Sequence, residues 1–164
     1  LSFIPPHLLK RMNELQYCTV IEPELSEIYE INRDFLEKAR ESKSVTTFTS
    51  FLFPDYTSFL SELKDLGVEL SLIVTNELFQ KVKKENYEFL REFIEEGYGK
   101  LSVHDDVSNV AAFSQNDYCL IFRLFTKEGN FDNKILKVSG PKALEWGREL
   151  FEYYKERSIP VTDV

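Results

Sequence analysis

Few residues in this sequence are of types that do chemistry, and their spacing narrows the field further. There are two histidines, His7 and His104. His7 stands beside Pro5 and Pro6 with no acidic or thiol partner at ligand spacing, and it reads as a helix-surface residue. His104 ends a strand-like stretch and is followed by Asp105 and Asp106, a place where a metal or a proton could be held. A metal centre needs three or four converging ligands, and along a continuing strand Asp105 and Asp106 would point to opposite faces. No metal is expected there. Cys18 and Cys119 lie in apolar, strand-like stretches without the basic neighbours that activate a thiol, so both are expected free and reduced. No Gly-x-Ser-x-Gly elbow occurs. Gly97-Tyr98-Gly99 follows a helical pattern and precedes a strand, the reverse of the order a phosphate cradle needs, so Gly97 reads as a helix stop. These residues predict neither catalysis nor a cofactor.

Arg123 breaks its local pattern. It sits inside Tyr118-Cys119-Leu120-Ile121-Phe122-Arg123-Leu124-Phe125, a run that otherwise reads as buried on both faces. Strict alternation places it with Cys119, Ile121 and Phe125. A guanidinium there must reach water from an edge strand, pair with a nearby carboxylate, or meet an anionic ligand, because an unpaired buried charge is very costly. The first two are structural roles; the third makes Arg123 the anchor for an acidic effector.

The elements that must position these residues follow from periodicity. The first 41 residues read as mainly helical: Pro5 and Pro6 suit a first turn, Tyr17 to Ile21 form a short strand, and Pro23 opens a second helix with Leu25, Ile28, Phe35, Leu36 and Ala39 inward. From residue 44, strands and helices alternate. Val45 to Ser50 is a β-branched run, Pro54 opens a helix that Gly67 ends, and Val68 to Thr75 is a strand. Thr75 or Asn76 caps the next helix, which runs towards Gly97 with a break near Asn86. Four short strands follow: Leu101 to His104, Val110 to Ser114, Tyr118 to Thr126 and Phe131 to Val138. Asn116-Asp117 predicts a two-residue hairpin turn using positive φ, and Gly140-Pro141 starts a closing helix. The aromatics Phe48, Phe51, Phe53, Tyr56 and Phe59 read as core rather than pocket. The fold class is therefore α/β: a mixed parallel and antiparallel sheet flanked by helices, with an N-terminal helical segment over residues 1–41 and an α/β unit over 42–164.

Composition bounds the function. The 164 residues carry 20 Lys and Arg against 28 Asp and Glu, a formal charge of −8, which makes the chain a poor ligand for phosphate backbones. Its one dense basic run, Lys81, Lys83 and Lys84, is flanked by Glu77 and Glu85 and reads as helix-face ion pairing. No signal peptide or membrane-length apolar run is present, so a cytoplasmic location without membrane contact is expected.

Several stretches together resemble a known family: Phe3-Ile4-Pro5-Pro6-His7-Leu8-Leu9, Phe53-Pro54-Asp55-Tyr56, Leu66-Gly67-Val68-Glu69-Leu70, Leu124-Phe125 with Gly129-Asn130-Phe131-Asp132, and Ala143-Leu144-Glu145-Trp146-Gly147-Arg148-Glu149-Leu150-Phe151-Glu152-Tyr153-Tyr154. They resemble the effector domain that follows a winged helix-turn-helix in archaeal transcriptional regulators of the methanogenesis regulatory protein type. The resemblance implies a phospholipase D-like, non-catalytic fold, a homodimer, and DNA contact only through a winged helix upstream of Leu1. His104 is followed by Asp105 and Asp106 with no Lys two positions on, so the phosphodiesterase motif is not matched. In an open α/β sheet, ligands favour the crevice beyond the carboxyl ends of the strands. That rule nominates Thr49, Ser50, Thr75, Asn76 and His104, with Arg123 as the anchor for a small anionic metabolite. The alternative is a pure dimerisation domain, its interface formed by the helices of residues 1–41.

Overall fold

The computed structural model describes residues 1–105 and 109–164. Eight strands form one sheet in the order β1-β7-β6-β5-β2-β3-β4-β8. In chain order they are β1 (Tyr17–Ile21), β2 (Ser44–Thr49), β3 (Glu69–Val74), β4 (Lys100–Val103), β5 (Ala112–Gln115), β6 (Cys119–Phe125), β7 (Phe131–Ser139) and β8 (Ile159–Val161). The helices are α1 (Pro6–Leu9), α2 (Arg33–Arg40), α3 (Tyr56–Asp65), α4 (Asn76–Glu85), α5 (Tyr87–Glu95) and α6 (Pro141–Glu156). β2, β3 and β4 are parallel, joined through α3 and through α4 with α5; every other pairing is antiparallel. The sheet is mixed, as the pattern of the sequence predicts.

Central strands buried on both faces divide the core in two. Along β6, Leu120 and Phe122 point to one face, while Cys119 and Ile121 point to the other. The first face holds a row of rings across three strands, Phe48, Phe113 and Phe122, with centroids 4.7 and 5.2 Å apart. α6 closes it. Trp146 is fully buried there, and its indole N–H donates to the Leu8 carbonyl at 3.0 Å. The N-terminal residues Phe3, Ile4 and Leu8 belong to this core. The opposite face is covered by α2, α3, α4 and α5, with Phe35, Leu60, Leu63, Leu78, Leu90 and Phe93 packed inward.

Three local readings are corrected. The helix opened by Pro23 is only a 3₁₀ turn, Leu25–Glu27; the α-helix starts at Arg33, where the Asn32 side chain accepts from the Phe35 N–H at 3.0 Å. An N-cap side chain there outweighs Pro23, nine residues earlier. The 116–118 turn uses no positive φ, since among the described residues only glycines have one. Instead Asn116 Oδ1 accepts from the Tyr118 and Cys119 N–H groups and its amide donates to the Phe35 carbonyl, so a buried side chain replaces the backbone twist. β8 was not expected: its three residues, one a proline, pair antiparallel with β4 and cap that edge of the sheet. Cys18 is exposed, whereas Cys119 is buried; both are free.

Candidate functional site

Strand register builds the floor of a cleft on the α2–α3 face. One row across the sheet reads Thr49, Ala112, Arg123, and the next reads Thr47, Ser114, Ile121. All six side chains line the cleft, because residues two apart on a strand share a face. Thr47 Oγ1 and Ser114 Oγ lie 3.0 Å apart and share a hydrogen bond. The Thr49 hydroxyl is held locally: it accepts from the Phe51 N–H, and the Phe51 and Ala111 carbonyls lie 2.6 and 3.1 Å from it.

The walls come from segments far apart in sequence. Ile31, Asn32 and Phe35 enter from the start of α2, Phe51, Leu52 and Phe53 from the loop after β2, and Tyr56, Phe59 and Leu60 from α3. The cleft opens to solvent and has a cavity volume of about 70 Å³. Tyr56 is fixed by the Asn86 amide, which donates to the phenol oxygen at 2.8 Å; burial pushes the phenol pKa up.

Arg123 is the exceptional member. Only 2% of its surface is exposed. Nη2 donates to the Glu30 carbonyl at 3.3 Å, and the guanidinium carbon lies 4.9 Å from the centre of the Phe53 ring. Nη1 is buried without a hydrogen-bond partner among the described residues. The ion pairs of the described residues include none to Arg123; the hydrogen bond it makes is to a neutral carbonyl. Burial lowers its pKa to about 10. Neither structural role expected for this residue, reaching water or pairing with a carboxylate, is what the geometry shows. A cationic fork with an unpartnered donor in an aromatic cleft is the arrangement that receives a carboxylate or a similar anion.

The other nominated residues are dispersed. Thr49 shares the cleft with Arg123; Ser50, Thr75, Asn76 and His104 do not line it. Ser50 Oγ donates to the Ala111 carbonyl, and Thr75 Oγ1 accepts from the Leu78 N–H as the cap of α4. The Asn76 N–H, at the first turn of α4, donates to Asp105 Oδ1 at 2.9 Å. That carboxylate fills the helix N-terminus an anion would use. His104 packs edge-on against Tyr154, 5.4 Å between ring centres, on the α6 face. Asp106, its expected acidic companion, lies outside the described residues. Among the described residues no group of three His, Cys, Asp or Glu is placed to hold a metal. The rings that the sequence assigns to the core split: Phe48 is core, Tyr56 and Phe59 pack against the opposite core and also line the cleft, and Phe51 and Phe53 line the cleft. Their concentration just after a strand end was the available signal.

Comparison with known proteins places this geometry in a family. The family model described as methanogenesis regulatory protein FilR1, middle domain, matches residues 28–157. Methanogenesis regulatory protein FilR1 of Methanothrix harundinacea (strain 6Ac) is 24% identical over 164 residues, covering 96% of this chain and 36% of its own length. The chain therefore spans about a third of the curated relative it matches. Among solved structures, TrmBL2, an archaeal chromatin protein, aligns with a TM-score of 0.68 at 16% identity, over 94% of this chain and 60% of that one. Nuc from Salmonella typhimurium, a phospholipase D family member, aligns with a TM-score of 0.55 at 13% identity, over 89% of this chain and 99% of that one. At those identities the two structures show the fold, a phospholipase D-like α/β sheet. On the match of 28–157 the chain belongs to the FilR1 middle-domain family.

Proposed function

We propose that this chain is the effector-sensing domain of a transcriptional regulator, with Arg123 anchoring a small anionic metabolite and DNA contact made by a winged helix-turn-helix elsewhere in the same protein. The observation that carries the reading is the buried Arg123, whose Nη1 has no hydrogen-bond partner among the described residues and whose side chain lines the cleft. The family is that of a regulatory protein, and TrmBL2, of the same fold, is described as binding DNA. The charge of −8 fits a division of labour in which this domain does not meet phosphate backbones itself. Ligand at the cleft ties α2 to α3 and the sheet, and differential affinity for two arrangements of those elements is what shifts an attached DNA-binding segment. The motif of a phosphodiesterase is not matched at His104, so the domain senses rather than hydrolyses.

The test is a melting-temperature screen against acidic metabolites. A ligand at about a hundredfold above its Kd adds about 2.7 kcal/mol, or roughly 5–11 °C for a domain of this size. The shift is expected in the wild type and absent in Arg123→Gln. No shift with any anion would overturn the reading.

A second reading, association of two copies, is favoured by the sheet edges. β1 is an edge strand with Tyr17, Cys18, Thr19 and Val20 all exposed and no charge or proline in it, whereas β8 is short and carries Pro160. Unprotected edges of that kind pair with another chain. Sedimentation should show a dimer that Val20→Lys dissociates without unfolding; a wild-type monomer at high concentration would refute it. This interface differs from the helical one expected for residues 1–41.

A further inference from the structure

The walls of the cleft say more about the ligand than that it is an anion. Arg123 contributes a single positive charge, and no other Lys, Arg or His lines the cleft. One charge compensates one charge. A dianion would bring an excess negative charge into a site whose floor otherwise offers hydroxyls and whose walls are aromatic and aliphatic, and an uncompensated buried charge is strongly disfavoured. On the far side of Arg123 a second, polar cavity is lined by Glu22, Glu27, Glu30 and Asp34 against Arg33, which further disfavours extra negative charge. The remainder of the ligand meets a different chemistry. Phe53 lies against the guanidinium, Phe51 and Phe59 also line the cleft, and an inner cavity adjoins it, sharing Leu52, Tyr56, Leu60 and Leu72. That inner cavity, which itself opens to solvent, lies between α3, α4 and α5, and the described residues around it are all apolar or aromatic, Val74, Phe79, Val82 and Phe89 among them.

Resting on the sensing role proposed above, we propose that the ligand is an amphiphilic monocarboxylate. Its head accepts from Arg123 Nη1, its body lies against Phe53 and Phe59, and its tail passes Leu52 and Tyr56 into the inner cavity. The arrangement uses every unusual feature of the site: the unpartnered donor, the single charge and the apolar continuation. A polar metabolite such as a sugar phosphate would leave the inner cavity empty and its own hydroxyls unpaired against aromatic walls.

Calorimetric titration with straight-chain probes tests this on the chain as it stands. Hexanoate, octanoate and decanoate should bind with affinity rising about fourfold per added methylene until the inner cavity is full. Decanol should bind at least about tenfold more weakly than decanoate, and Arg123→Gln should erase that difference while leaving the alcohol unaffected. Val82→Trp, which fills the inner cavity from α4, should weaken decanoate by about tenfold and hexanoate by no more than about twofold. Binding of inorganic phosphate or polar dicarboxylates in preference to the acids, or affinity independent of chain length, overturns the amphiphile while leaving anion sensing intact. Failure of every anion, polar or amphiphilic, overturns both.

Discussion

Replacing Arg123 by methionine isolates the cost of its charge. Methionine keeps the unbranched stem and the approximate volume, and it removes the guanidinium. On one side, the variant loses the 3.3 Å bond from Nη2 to the Glu30 carbonyl and the contact with the Phe53 ring. Those contribute about 1–2 kcal/mol each at most, given the long bond and the 4.9 Å ring distance. On the other side stands a buried cation whose pKa burial lowers to about 10. At about 1.4 kcal/mol per pH unit, the fall from the free guanidinium's range amounts to roughly 3 kcal/mol of desolvation. An unpaired Nη1 adds the cost of an unsatisfied donor. The burial terms exceed the contacts, so Arg123→Met should stabilise the unliganded domain by about 1–2 kcal/mol, raising the melting temperature by roughly 2–8 °C. The fluorescence of Trp146, the only tryptophan, reports unfolding in denaturant. The pH dependence has a definite sign. Between the folded and unfolded pKa values the unfolded chain binds more protons, so the wild type gains stability as pH rises through about 10. The advantage of the variant is therefore constant at lower pH and shrinks from about pH 9 upward, other titrating groups cancelling in the difference. A variant destabilised by more than about 1 kcal/mol, or a gap that does not change between about pH 8 and pH 11, would refute the reasoning.

Three further outcomes follow from packing and exposure. Gly147→Ala should destabilise by about 1–3 kcal/mol although alanine is the better helix former, because the added methyl meets Gln115 Oε1 and lies 2.8 Å from Leu120; denaturant melts check it. Asn116→Ala should cost about 2–4 kcal/mol by releasing three backbone partners of a buried amide, and amide exchange should rise at Tyr118 and Cys119. An aromatic disulfide reagent should modify Cys18 rapidly in the native protein and Cys119 only after unfolding, since one thiol is exposed and the other is buried with its pKa pushed up by that burial; equal rates would contradict the burial of Cys119.

Element type was readable wherever periodicity was strong. The β-branched run at 45–49, the alternation of Leu70, Leu72 and Val74, and the apolar stripe from Ala143 to Tyr154 each carry one dominant period, and each forms the expected element. Over residues 22–41 the apolar spacing suggested one long helix, and a single cap at Asn32 decided where the helix begins. β8 was illegible for a different reason. Three residues with a proline have no strand signal of their own, and the free edge of β4 is what pairs them.

The candidate site divides along the same line. Arg123 could be singled out from sequence because a charge inside an apolar strand violates a local rule, and Thr49 was nominated from the strand end. What local pattern could not supply was the neighbourhood. Whether Arg123 meets water, a carboxylate or a cavity depends on which strands flank β6 and which helix covers it, and those partners come from residues 30 and 53 as much as from residue 112. Register across β2, β5 and β6 turned three separate strands into one floor, and the start of α2 with the loop after β2 gave it walls. The period of an element is written in its own residues, since sterics and alternation act over a few bonds. The company a side chain keeps is a property of contacts between segments far apart in the chain, and here those contacts decided that the buried Arg123 lines a cleft.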